Sequence, residues 1–271
     1  MLYPFFPGSY DKLAEGLSTI AQVFGVIGLL LVPAGVLWLA HELRRGARIK
    51  RNLPSKDWRF GFALASLIAG SFVAIVLSLF AALSVGLSFG VLTFVLWVYS
   101  VFRLIHGLRL LKNAGAENIN PTPFYLIFLP IATLILQLTF AAPAIEFSRN
   151  HAIMNSAEII NEIEKHHTAQ GHYPDSLLAL NIDFQPSVVG IPQYHYAQNG
   201  DAYNLFFQQP RFLFPEFGAR EIVMYNKLDE HIMPSHAYWI LIWTPEELEA
   251  QQGWYAVHDA ASAHWKYFWF D

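Results

Sequence analysis

The 271-residue chain has no cysteine. That excludes disulfides, thiolate metal sites and a cysteine nucleophile, and cysteine usage says nothing about redox compartment. Charge is scarce too: 14% of residues are Asp, Glu, Lys or Arg and 54% are hydrophobic, against roughly 25% charged in a soluble globular domain. The shortage is local. Up to Phe147 there are 11 Lys/Arg and 6 Asp/Glu, and beyond it 6 and 15. The second half has no basic face to neutralise phosphates, so no nucleic acid partner is expected. The start also lacks the cationic region and short apolar run of a cleaved signal peptide, so no cleavage is expected.

What the first half has instead is long apolar runs. Residues 17–40 suffice to cross a hydrocarbon core of roughly 30 Å at about 1.5 Å per residue, with a bend expected at Pro33-Ala34-Gly35. Residues 60–105 carry no charge before Arg103. As one helix they would be about 70 Å long, so they must reverse, and the small-residue stretch 82–90 is the expected turn between spans 60–82 and 87–106. A fourth run, 124–145, contains Pro130, Gln137 and Pro143. Gly86 and Gly90, with Ala65, Ala69 and Gly70, are read as close-approach points within one helix bundle.

Loop charge orients these spans. Arg44, Arg45, Arg48, Lys50, Arg51, Lys56 and Arg59 lie between the first two, and Arg103, Arg109 and Lys112 follow the third. Both loops read as cytoplasmic, which puts both termini outside. No Asp, Glu, Lys or Arg sits mid-span, which disfavours an ion-coupled carrier. Residues 1–16, with Tyr3, Phe5, Phe6 and Tyr10, read as a segment at the headgroup level.

From residue 148 the periodicity becomes that of an amphipathic helix, with Ile153, Ala157, Ile160, Ile163 and His167 on one face and Gly171 as its stop. No linker precedes it, so the fourth span is expected to run into it with a bend at Pro143. Asn199-Gly200 lies between two alternating runs, a hairpin signal, and the second run presents Tyr203, Leu205 and Phe207 on one face. Further strands are expected at 221–226, 237–243, 254–258 and 265–270. Thr244, Pro245, Glu247 and Gly253 outline a short capped helix between strands. The fold class expected is therefore a membrane all-α domain of four helices, residues 17–147, followed by an α+β domain, residues 148–271, in which a long helix packs on an antiparallel sheet.

The run from an apolar into an amphipathic helix, followed by Gly171, Tyr173-Pro174, Ser176-Leu177 and Leu180 and then a Tyr-rich hairpin, resembles type IV pilins and type II secretion pseudopilins. The resemblance covers residues 124–208 and implies the fold, with a G-x-Y-P-x-S-L-like turn joining helix to sheet. Family members have a single span preceded by a processing site. Here three spans come first, and Asn118 to Pro123 form no such site, so neither cleavage nor polymerisation is carried over.

Candidate chemistry is thin. His166 and His167 point about 100° apart on a helix and cannot chelate together. Glu162 and His166 are spaced i, i+4 without an H-E-x-x-H motif. His258, Asp259 and His264 flank a turn and form the one candidate metal set, and with Ser262 they supply triad residue types without a nucleophile elbow. No cofactor is expected. The run Trp265 to Phe270 is hard to bury on both faces, so Trp265, Tyr267 and Trp269, or their alternates Lys266, Phe268 and Phe270, are the candidate binding residues. The function expected is display of a pilin-like domain outside a bacterial inner membrane, with lipid and an envelope protein as partners. The alternative is a membrane-anchored metal-binding protein or enzyme.

Overall fold

The computed structural model describes residues 1–54, 57–113, 120–180, 182–199, 201–213, 220–231, 233–234, 241–243 and 255–270. The short helix expected at 244–253, Trp239, Trp254 and Gly200 lie outside these residues. Two compact units make up the chain. One comprises Met1 and Gly16–Thr139, and the other Leu2–Glu15 with Phe140–Asp271.

The first unit is built from helices α1 (Leu13–Ile27), α2 (Val32–Lys50), α3 (Arg59–Ser84), α4 (Leu87–Asn113) and the start of α5 (Thr122–Asn155). With α1 and α2 taken as one, four are long and apolar enough to cross a membrane. A 3-10 turn, Gly28–Leu31, joins α1 to α2, and Val32 N–H bonds Leu29 O there. Pro33 causes it: the ring lacks an N–H and crowds the Leu29 carbonyl, so the turn before it tightens. The bend expected at residues 33–35 is thus seated one turn earlier.

The reversal between α3 and α4 falls at Val85-Gly86, inside the expected stretch. Gly86 has φ +135° and its N–H reaches Ala81 O, a conformation that side chains resist. Gly90 acts differently. A Cβ there would lie 2.5 Å from Ala82 Cβ and 2.7 Å from Ser78 O, so α3 and α4 cross where only glycine fits.

A second seam runs along α1 and α2. Ser18, Gln22, Gly25, Gly28, Gly35, Trp38, Glu42 and Arg45 are all buried, at intervals of three, four and seven that keep them on one helical stripe. A Cβ on Gly28 would meet Pro130 at 3.1 Å, and one on Gly35 would meet Ile127 at 2.8 Å and Pro123 O at 3.0 Å. The first helix therefore lies antiparallel along α5, backbone to backbone. Its polar members bond locally: Gln22 donates to Ser18 Oγ at 2.9 Å and Ser18 Oγ to Met1 O.

In the second unit α5 runs unbroken through Pro143 to Asn155, so the fourth apolar run continues into the amphipathic region without a linker, and the helix is interrupted at Ser156. There one N–H is shared between Ala152 O and Ile153 O, and α6 (Ala157–Gln170) follows. Gly171, at φ +79° with its N–H on His167 O, ends α6 as expected.

The sheet contains β1 (His195–Asn199), β2 (Ala202–Gln209), β3 (Arg220–Asn226), β6 (Tyr255–Asp259) and β7 (Trp265–Phe270). Its order is β1-β2-β3-β7-β6, antiparallel throughout. Asn199 pairs with Ala202, so β1 includes Asn199, which the sequence pattern had placed in the hairpin turn. A two-stranded ribbon, β4 (Met233–Pro234) and β5 (Leu241–Trp243), was not foreseen as a pair. Tyr203, Leu205 and Phe207 face the helices with Val223, Tyr225 and Trp265, and pack with Ala152, Ile153, Ile159 and Ile163.

The N-terminal segment also belongs to this unit. Val189 N–H bonds Phe6 O, Gly190 N–H bonds Pro4 O, and Gly8 and Asp11 donate to Ser187 O and Val189 O. Phe5, which the sequence places among headgroup aromatics, is 1% exposed and stacks on Phe212 at 4.7 Å. Tyr3, Phe6 and Tyr10 remain exposed.

Candidate functional site

Strand alternation arranges the helix-facing side of the sheet in layers. Leu205, Tyr225 and Trp265 form one layer and Phe207, Val223 and Tyr267 the next, with His258 beside Tyr267. Gln209, Glu221 and Trp269 form the last. The first two are apolar core and the last is polar.

Glu221 is the centre of that layer and is fully buried. Arg149, projecting from α5, places Nε 2.7 Å and Nη2 2.6 Å from Glu221 Oε1. The indole of Trp269, directly across the β3–β7 ladder, donates to Oε2 at 2.8 Å, and Arg211 Nη1 lies 3.5 Å from the same oxygen. Each guanidinium also covers a ring. Arg149 sits 3.9 Å above Tyr267 and Arg211 4.2 Å above Trp269, so desolvation of both cations is offset by a carboxylate and an aromatic face. Alongside, Gln209 Nε2 donates to Ser148 Oγ, and Ser148 Oγ to Ile145 O. Two cations share one anion, and both carboxylate oxygens are taken up by donors. Such a group ties helix to sheet and is not free to act as a general base.

Of the candidate binding residues, Trp265 is 4% exposed and belongs to the core, and its alternate Phe268 is 1% exposed on the opposite face. Each side of the run thus buries one aromatic ring. Tyr267 and Trp269 are partly exposed and are held by the arginines.

The candidate metal set does not assemble. His258 stacks on Tyr267 at 4.9 Å and meets Trp269 at 4.6 Å with its ring tilted, and Asp259 faces Lys266 at 3.8 Å. His264, at φ +64°, turns its Nδ1 to Asp229 Oδ2 at 3.0 Å instead. Among the described residues no three His, Asp or Glu side chains gather to hold a metal. The sequence separates the pair of strands by a short turn but does not say that a stacked ring and a second acid will claim the two histidines.

A second cluster lies where α6 meets the sheet. Tyr173 stacks on His167 at 4.2 Å and contacts Tyr203, which contacts Tyr225. Lys227 bonds Glu164 beside them at 2.6 Å. Burial pushes all three phenols up, keeping them neutral as core groups.

Sequence reasoning missed Arg149, Gln209, Arg211 and Glu221. One signal was available: Glu221 shares its parity with Val223 and Tyr225, so it is an acid on the inward face of an apolar strand.

No protein-family model matches the chain, and neither a curated protein nor a solved structure matches it.

Proposed function

We propose that the chain is a four-span integral protein of a bacterial inner membrane, with both termini outside the cytoplasm. In this reading its sheet-bearing unit is a pilin-like display domain that binds or scaffolds another envelope protein. The observation that carries the topology is the docking of residues 4–11 onto residues 187–190 within one unit. These segments flank the four apolar helices in sequence. They can hydrogen-bond only if an even number of crossings separates them.

Other features support the reading. Ile68, Leu79 and Leu83 on α3, and Leu87, Val95 and Phe102 on α4, are each more than half exposed, a surface suited to lipid and not to water. The basic end of α2 favours the cytoplasmic side. A long helix against an antiparallel sheet, joined through Gly171 to Leu177, supports the pilin-like description. Binding is assigned to Tyr267 and Trp269, whose partly exposed rings are pre-positioned by Arg149 and Arg211, and to His258, which packs against both rings, so little side-chain entropy would be lost on contact.

The absence of native cysteine makes the topology test clean. In intact cells an impermeant thiol reagent is expected to label Asp201→Cys and to leave Arg48→Cys unlabelled until the membrane is opened. Labelling of Arg48→Cys in intact cells overturns the reading. For binding, Trp269→Ala and Tyr267→Ala should weaken partner recovery from crosslinked native membranes while Leu178→Ala, on an exposed side chain, should not.

A further inference from the structure

The apolar stretch of the first helix ends near Ala40, yet α2 continues to Lys50. From Leu13 to Lys50 is 38 residues, about 57 Å of helix against a hydrocarbon core of about 30 Å. The last turns therefore extend beyond the core. Their charges are unusually one-sided. Residues 41–60 contain two acids, Glu42 and Asp57, and each is committed to a buried arginine. Glu42 is 1% exposed, accepts Trp38 Nε1 and lies 3.6 Å from Arg45. Asp57 holds Arg59 through both oxygens, the shortest contact being 2.7 Å. Arg44, Arg48, Lys50 and Arg51 are left exposed, and no acidic partner faces them among the described residues.

The surface is also fixed in shape. Asn52, at φ +54°, closes α2: its N–H bonds Ile49 O and the N–H of Leu53 bonds Arg48 O, the paired pattern that ends a helix and turns the chain. His41 Nε2 accepts the N–H of Trp58 and pins the return. Beside the cations Leu53 and Trp58 stand 52% and 60% exposed.

We infer that this end of α2 is a recognition surface for anionic phospholipid. Arg44, Arg48, Lys50 and Arg51 engage headgroup phosphates while Leu53 and Trp58 enter the interfacial layer. Four cations directly beyond a membrane-crossing helix, with every nearby acid already neutralised, match the charge of an anionic leaflet. The exposed apolar side chains beside them fit a lipid and have no use for a free phosphate ion. This inference rests on the membrane reading above.

The test uses the full chain in mild detergent, offered phosphatidylglycerol or phosphatidylcholine, with retained lipid counted by native mass spectrometry. Wild type is expected to retain phosphatidylglycerol preferentially. Arg44→Gln/Arg48→Gln/Arg51→Gln should lose that preference, at about fivefold per cation removed, and high salt should weaken it in wild type. Equal retention of the two lipids by wild type, or an undiminished preference in the triple variant, overturns the inference. So does displacement by inorganic phosphate, which would reveal a simple anion site. Should the triple variant melt abnormally, Arg48→Gln alone carries the comparison. Alkaline carbonate extraction of wild-type membranes separates the two readings: release of the chain defeats both, whereas a carbonate-resistant chain without lipid preference defeats this one alone.

Discussion

Arg149 and Glu221 stand 72 positions apart in sequence, and Arg149 Nε lies 2.7 Å from Glu221 Oε1. Removing the acid takes the shared carboxylate from two buried cations, so Glu221→Ala should cost roughly 3 to 5 kcal/mol of stability. Replacing the whole set with apolar residues of similar volume, Arg149→Met/Arg211→Leu/Glu221→Leu, should cost far less. Denaturant melts of the full chain in detergent decide it; a Glu221→Ala variant as stable as wild type would refute the tie.

The N-terminal segment should behave as part of the sheet unit. Phe5→Ala is expected to lower its stability by roughly 3 to 5 kcal/mol. Phe212→Ala should do likewise, and the double variant should lose less than the sum because the two rings share one contact. Gly190→Ala forces a Cβ to within 2.8 Å of Pro4 O and should expose the segment to protease. Unchanged cleavage in all three would contradict the docking.

Acid should loosen the same unit. His231 is 0% exposed with Nε2 on His264 O, and burial holds its imidazole below the usual range, as it does for His195. The unfolded histidines take up protons near pH 6.5 and the folded ones do not. Stability is thus full above about pH 6.5 and is lost as pH falls toward the folded values, by about 1.4 kcal/mol per pH unit for each residue at most. Melts between about pH 7.5 and 5 should show this slope, and His231→Asn should flatten it.

Gly35 and Gly46 lie on the same helix but should respond oppositely. Gly35→Val collides with Ile127 and Pro123 and should destabilise the helix pair, whereas a Cβ on Gly46 meets nothing within 4 Å. Gly46→Ala should therefore stabilise slightly, by up to about 1 kcal/mol. Thermal stability in detergent separates the two; equal effects would contradict the close approach.

How much of this was legible depended on the range of the signal. Uninterrupted apolar runs, the Gly86 reversal, the Gly171 stop and the alternation of Tyr203, Leu205 and Phe207 are local patterns, and each could be read directly. Boundary errors stayed small, as at Asn199, which pairs with Ala202 instead of turning. What could not be read was made by distant pairings: Phe5 with Phe212, Arg149 with Glu221, His264 with Asp229. No local periodicity records which side chain a buried acid will meet. The stripe from Ser18 to Arg45 was readable in principle, but glycine and glutamine break an apolar pattern and hid it within a run judged by hydropathy alone.

The docked N-terminal segment also sets an order of events during synthesis. Residues 4–8 leave the ribosome well before their partners at 187–190 and Phe212, which come some 180 to 210 positions later. At about 5 to 20 residues per second the wait is on the order of ten to forty seconds. During it Phe5 lacks the Phe212 ring, and in the four-span reading proposed above all four apolar helices are inserted before that ring arrives. In that reading closure of the sheet unit reports completed insertion: a chain that fails to place its last helix leaves the two segments on opposite faces of the bilayer, with Phe5 and Phe212 unable to meet.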